Sequence, residues 1–322
     1  MGHEAQIHGE VNQSLGARID GVVYEMKKSI TMVIAVCASL SACNLTTSSN
    51  NPTREGYNNN LSPHEHAFNL TSEEVRYGSL SERYEVRDGD CGGSDCTNPR
   101  YRSEISLSKK NTKARLDQDI WYGWSFFNKN ILSSSTKWNL MFVLGQWKMG
   151  GDNPPIFKLV QIGAREGNWG GCDKKICNRN FSRDDVVIQL DDMKEKYSWG
   201  RKENWGLICK LFNIEDSIGT WVDIVVNTNF STKNDGYLKV WINGEQKCDY
   251  KGQVVTLKTK RFYPGPNHRR GIYVSYTKRW DKIRPHLTKP TAIAYYDEFR
   301  SGKKREDVDI TMIERRGGKA LD

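Results

Sequence analysis

From about residue 68 onward the chain runs in short stretches where apolar and polar residues alternate, each broken by Gly, Asn, Asp or Pro. Alternation at every second position is the mark of a strand with one buried and one wet face. Residues 100–107 and 156–162 alternate in this way, while 121–127 and 140–147 are denser in apolar residues and are expected to be covered on both faces. Residues 221–227 and 237–242 flank the polar turn Thr232-Lys233-Asn234-Asp235-Gly236, and Asn243-Gly244 supplies a tight reversal into 246–250. Residues 271–276 and 292–299 complete the set. The sequence has no long helical period, no internal repeat and no glycine-rich phosphate loop. The pattern predicts an all-β domain over 68–322, a two-sheet antiparallel β-sandwich of the jelly-roll kind.

The chain before residue 68 reads differently. Residues 1–25 carry no apolar periodicity and are set aside as an upstream segment outside the fold. Met26-Lys27-Lys28 then leads an apolar run over 30–42 that is too short to cross a bilayer and ends in Leu40-Ser41-Ala42-Cys43, so 26–42 reads as a secretion signal. This ending resembles the lipobox of bacterial lipoproteins. The resemblance implies lipidation at Cys43 and an exported protein anchored to the outer membrane, facing the periplasm or the cell exterior. Residues 43–67, rich in Ser, Thr and Asn, are expected to form a flexible tether between anchor and domain.

Cysteine usage agrees with export. Apart from Cys37 and Cys43 there remain Cys91, Cys96, Cys172, Cys177, Cys209 and Cys248. Cys91 with Cys96 and Cys172 with Cys177 each close a short loop, which leaves Cys209 with Cys248, and three disulfides are expected on that pattern. Four residues separate the members of each close pair, a spacing that weakens a zinc reading, and no metal ligands are assigned. A structural calcium site built from Asp297 and Glu298 with Asp88 and Asp90 is the alternative to a solvated turn, and the turn is preferred.

Charge narrows the partner. The chain has 48 Lys and Arg against 39 Asp and Glu, a net charge of +9. Leaving out residues 1–42, with basic Arg18, Lys27 and Lys28 and acidic Glu4, Glu10, Asp20 and Glu25, raises it to +10. Such a balance favours anionic partners, or does no more than aid solubility. Export argues against nucleic acid and leaves acidic polymers and membrane surfaces. A monomer is expected.

Three segments place polar side chains on strand faces. Arg100, Arg102 and Glu104 project together, while Tyr101, Ser103 and Ile105 face the other way. Gln146 and Lys148 share a face, with Trp147 turned toward the core. Arg269, Gly271 and Tyr273 share another, with the glycine leaving room for a ligand; Tyr276 would fall opposite Tyr273 in an unbroken strand. Converging on one sheet, a guanidinium, an amide, an ammonium and a phenol would suit an anionic sugar.

The segments Arg100-Tyr101-Arg102-Ser103-Glu104-Ile105, Gln146-Trp147-Lys148 and Arg269-Arg270-Gly271-Ile272-Tyr273 resemble the signature strands of jelly-roll polysaccharide lyases of the concanavalin A-like class, as in family 7 alginate lyases. The stretch 81–91, Trp121-Tyr122-Gly123-Trp124-Ser125 and the run 235–244 are closer to the heparin lyase I and glucuronan lyase group. The resemblance implies β-elimination on a uronic-acid polymer with no required cofactor. Arg102 and Gln146 match positions that bind the carboxylate and stabilise the developing enolate, and Tyr273 matches the tyrosine that acts as acid and often as base. Arg100, Glu104, Arg269 and His268 are the further candidate substrate-binding residues.

Lys148 departs from the family, which commonly has histidine there. It is a base of lowered pKa, a cation that leaves proton transfer to Tyr273, or a sign of a site that only binds; the cation reading is favoured. His268 is the nearest substitute histidine, with His64 and His66 further away. A non-catalytic carbohydrate-binding lipoprotein of the same fold is the alternative function. A glycoside hydrolase is disfavoured because no Glu-x-Asp-x-x-Glu strand occurs.

Overall fold

The computed structural model describes residues 56–61, 63–132, 140–150, 153–162, 184–193, 206–256 and 265–322. Residues 51–322 form one compact unit. The upstream segment, the signal run, Cys43, Cys172 and Cys177 therefore lie outside the described residues.

Among the described residues, fourteen strands form two antiparallel sheets of seven. In chain order they are β1 (Tyr57–Leu61), β2 (Phe68–Thr71), β3 (Ser81–Val86), β4 (Tyr101–Leu107), β5 (Ile120–Asn128), β6 (Met141–Lys148) and β7 (Phe157–Ile162). They continue as β8 (Asp185–Gln189), β9 (Leu207–Asn213), β10 (Trp221–Thr228), β11 (Tyr237–Ile242), β12 (Glu245–Lys251), β13 (Asn267–Ser275) and β14 (Ala292–Gly302). The first sheet has the order β1-β4-β13-β6-β7-β8-β9 and the second β12-β11-β10-β5-β14-β3-β2. The nine strands expected from alternation are present, and Asn243 and Gly244 take φ of 49° and 84° as a tight hairpin requires. Strands β1, β2, β3, β8 and β9 were not foreseen. Strand β1 lies inside the stretch expected to be tether; backbone pairing with β4 brings it into the sheet.

Inward side chains of the two sheets interdigitate. Tyr122, Trp124 and Phe126 of β5 face Phe142, Leu144 and Trp147 of β6 within a single main core, and Trp147, fully buried, stacks on Phe157 with ring centroids 4.4 Å apart. Gly123 lies outward in β5 because Val308 crosses close above: a Cβ there would stand 2.0 Å from the Val308 carbonyl oxygen. Cys209 and Cys248 are disulfide-bonded, joining β9 of the first sheet to β12 of the second.

One ionic pair sits between the layers. Arg270 of β13 points inward, where its Nε donates to Glu82 Oε2 of β3 at 2.6 Å, and the Tyr84 hydroxyl donates to the same oxygen at 2.9 Å. The guanidinium also lies over the rings of Tyr57 (4.1 Å) and Phe299 (4.6 Å). Burial works against the charge on Arg270, but Glu82, then Tyr57 and Tyr84, hold its pKa above the ordinary arginine value. Removing one partner of such a pair leaves the other charged and buried. Glu82→Leu is therefore expected to lose about 3–5 kcal/mol in urea unfolding, and the double variant Glu82→Leu/Arg270→Met much less. Equal losses in the two proteins would refute the pairing.

Candidate active site

Arg270 turns inward, so Arg269 beside it and Tyr273 further along β13 belong to the outward side of the first sheet. Register places Tyr273 opposite Arg102 of β4 on one side and Val143 of β6 on the other, and Arg269 opposite Ser106 and Gln146. Between these two rows β6 is irregular. It uses three steps, Val143 to Gln146, where β7 uses two, Val160 to Lys158, and β13 uses four, Tyr273 to Arg269. A bulge of one residue switches which side chains face outward. Met141 and Val143 face the groove before it, and Gln146 and Lys148 after it. Without the bulge, Trp147 would share a face with Val143 and Gln146 would be buried.

The resulting groove has a volume of about 460 Å³ and is lined by Arg100, Arg102, Gln146, Lys148, Arg269 and Tyr273, among others. Glu104, fully buried, organises the centre: it accepts from Arg102 Nη1 at 3.0 Å and from Gln146 Nε2 at 2.7 Å. Asp95 takes the other edge of the same guanidinium, with Nε donating to Oδ2 at 2.7 Å and Nη2 to Oδ1 at 3.1 Å. Burial opposes the charge on Arg102, but Glu104 and Asp95 hold its pKa above the ordinary value. So fixed, the guanidinium lies over the Tyr273 ring, 4.5 Å from its centroid. Burial pushes the Tyr273 phenol above its usual pKa, although Arg100, Arg102 and a hydrogen bond with Ser275 pull it down; Glu104 adds to the rise. Tyr273 therefore holds its proton at neutral pH.

Arg102, Gln146, Lys148, Tyr273, Arg100 and Arg269 all line the groove. Glu104 does not face substrate but anchors the residues beside it. His268 is misplaced by the expectation: its parity on β13 puts it inside, fully buried, stacked 4.1 Å from Phe299, and burial followed by the Arg270 charge pushes its pKa well below the ordinary range. His66 Nε2 instead meets Asp90 Oδ2 at 2.7 Å. Gly271 makes no room for a ligand. Its φ of 121° and the Ser103 carbonyl and Tyr84 ring, 2.2 and 2.6 Å from any Cβ, explain the glycine from the inner side. Tyr276 packs with Tyr273 on Met141, Val143, Val160 and Val187, because β13 ends at Ser275 and Tyr276 turns into the left-handed region.

The four carboxylates of the calcium alternative do not gather at one point. Asp88 bonds Lys289, Asp90 the Arg87 amide, Asp297 the Arg76 amide and Glu298 Arg300. Among the described residues no group of three or more His, Cys, Asp or Glu is placed to hold a metal. Two residues of the site, one bonded to Arg102 and one lining the groove, were not anticipated. Asp95 sits in the loop closed by the Cys91–Cys96 disulfide, and the closeness of those cysteines to Arg102 in sequence was its only signal. Lys158, buried in β7 and bonded to Asp191 at 3.1 Å, extends the groove past Gln146.

Comparison with known proteins agrees with this architecture. The family described as "Polysaccharide lyase" matches residues 44–300, and the chain belongs to it. An endo-β-1,4-glucuronan lyase from the fungus Trichoderma reesei superposes with a TM-score of 0.50 at 17% identity, covering 80% of this chain and 98% of that one. A family 7 alginate lyase gives 0.45 at 11% identity, covering 74% and 83%. A β-glucanase catalytic domain from Podospora anserina gives 0.48 at 10% identity, covering 79% and 88%. A search of curated proteins finds no match. The class is thus a jelly-roll polysaccharide lyase.

The chain Asp95, Arg102, Tyr273 has a titration consequence. Asp95→Asn removes a negative charge from Arg102 and strengthens the pull of that cation on the phenol, so Tyr273 should ionise at lower pH than in the wild-type protein. Difference titration of tyrosinate absorbance between the two proteins measures this, with Tyr273→Phe identifying the transition. A shift to higher pH would contradict the arrangement.

Proposed function

We propose that the protein cleaves a uronic-acid polysaccharide by β-elimination, with Tyr273 moving the proton. The observation that carries this reading is the set Arg102, Glu104 and Gln146, locked together beside a buried phenol in a groove rimmed by cations. Arg102 is already engaged by two carboxylates, whereas Arg100 is exposed at the rim and heads the cations that act on Tyr273. Arg100 is therefore the group that meets the sugar carboxylate, with the Gln146 amide and Arg102 behind it. Neutralising the carboxylate acidifies the C5 proton. The Tyr273 phenolate removes that proton, the electron pair forms the C4–C5 double bond, the C4–O4 bond breaks, and Tyr273 returns the proton to O4. Lys148 acts as a cation at the groove wall. It steadies the charge of the chain without taking the proton.

Because the resting phenol is protonated, its phenolate is the scarce form and kcat/KM should climb with pH toward the alkaline range. The acidic nature of the substrate is supported by the basic rim and by the likeness to a glucuronan lyase. We further propose export and anchoring through Cys43. This is supported by the run 26–43 and by the disulfides Cys91–Cys96 and Cys209–Cys248, bonds that persist in oxidising compartments.

The test is incubation of the domain with glucuronan, alginate and heparin-like chains, following the ultraviolet absorbance of the unsaturated product. Product from at least one polymer is expected. Tyr273→Phe should abolish turnover with binding retained, and Arg100→Ala should raise KM by about tenfold or more through loss of a charge-assisted contact. Binding without product on every polymer would replace the lyase by a carbohydrate-binding lipoprotein, and full activity of Tyr273→Phe would move the proton transfer elsewhere.

A further inference from the structure

We infer that Tyr296, on the opposite sheet, is the positioning residue of this site; the inference rests on the elimination reading above. Tyr296 belongs to β14, and its side chain crosses the core fully buried. Its hydroxyl stands 2.8 Å from the carbonyl oxygen of Leu144 and 3.0 Å from that of Gly271. These two residues mark the irregularity already described: Leu144 lies within the bulge of β6, and Gly271 is the positive-φ residue of β13 beside it.

Where a ladder loses register, backbone groups lose their strand partners, and a buried carbonyl without a partner is costly. One shared donor from the other sheet answers both carbonyls at once. Each also lies two residues from a groove residue, Leu144 from Gln146 and Gly271 from Tyr273. The hydroxyl thus pins the point at which β6 changes parity. That change is what puts the amide of Gln146 on the same side as the phenol of Tyr273. Tyr296 touches neither substrate nor reacting atoms and acts through the backbone alone. Slippage of β6 to remove the bulge would carry Lys148 inward, so loss of the pin loosens the bulge instead of erasing it.

Tyr296→Phe keeps the ring and removes only the donor. Expected are a fall in kcat of about tenfold or more with KM changed less than about threefold, since misplacement of positioned groups acts on the transition state. Amide exchange should accelerate over 143–147 and 270–273 and stay unchanged in β10 and β11. Tyr250→Phe, which removes a hydroxyl of β12 that donates to the Gln253 carbonyl and not to the bulge, should keep wild-type kcat. Replacing Tyr296 by para-aminophenylalanine restores a donor and should restore kcat, and this variant stands in if Tyr296→Phe does not fold. Wild-type kcat and exchange in Tyr296→Phe, an equal kcat loss in Tyr250→Phe, or no recovery with the amino analogue overturns the inference. The exchange measurement needs no substrate. A wild-type protein that makes no product refutes the lyase reading, whereas unchanged exchange in Tyr296→Phe refutes the pin.

Discussion

The inward turn of Arg270 onto Glu82 is the constraint on which the site rests. Strand β13 carries two groove residues, Arg269 and Tyr273, and one buried cation, Arg270, within a few residues, and only one register satisfies all three. With Arg270 held between the sheets, Arg269 and Tyr273 must face outward and His268 and Ile272 inward. A shift by one residue would bury Arg269 and expose Ile272, losing the ion pair and apolar burial together. A buried pair of this kind adds little net stability over a well-packed apolar one, so its value lies in permitting a single register.

The groove is built from charges that are already matched. Glu104 serves Arg102 and Gln146, Asp95 serves the far edge of Arg102, and Asp191 serves Lys158. Fixed partners hold these side chains in place before substrate arrives, and a preorganised site loses less ordering entropy when it is used. The exposed Arg100 at the rim contrasts with this interior set and leaves a positive charge at the groove mouth. Phenol burial is the counterpart: the apolar floor of Met141, Val143, Val160 and Val187 under Tyr273 raises the proton affinity that the cations lower. The balance between floor and cations decides how much phenolate exists.

Polysaccharide lyase membership and the sandwich fold come from evidence of different reach. The family match covers most of the chain, while the structural neighbours share little sequence and speak for the fold alone. The reaction therefore has to be argued from Tyr273, Arg100, Arg102 and Gln146 and tested on polymers.

Much of this was legible in the residues. Alternation at every second position announced strands β4 and β7, the polar turn over 232–236 marked β10 and β11 on either side of it, the Asn243-Gly244 pair announced the hairpin, and the parity of 100, 102 and 104 put Arg100, Arg102 and Glu104 on one face. Strands β8 and β9 were missed because short apolar runs carry no period of their own, and β1 because its Asn-rich sequence is held by pairing to β4 and not by propensity. Sequence alone determined the chemical cast of the groove, since side-chain identity and strand parity are local properties. Tertiary structure decided who faces whom: that His268 is core, that Glu104 is an anchor, that Asp95 reaches Arg102, and that a bulge in β6 turns Gln146 toward Tyr273. These depend on register between strands far apart in the chain, which is set by cross-layer contacts such as Arg270 with Glu82 and Tyr296 with two carbonyls, and no local pattern encodes them.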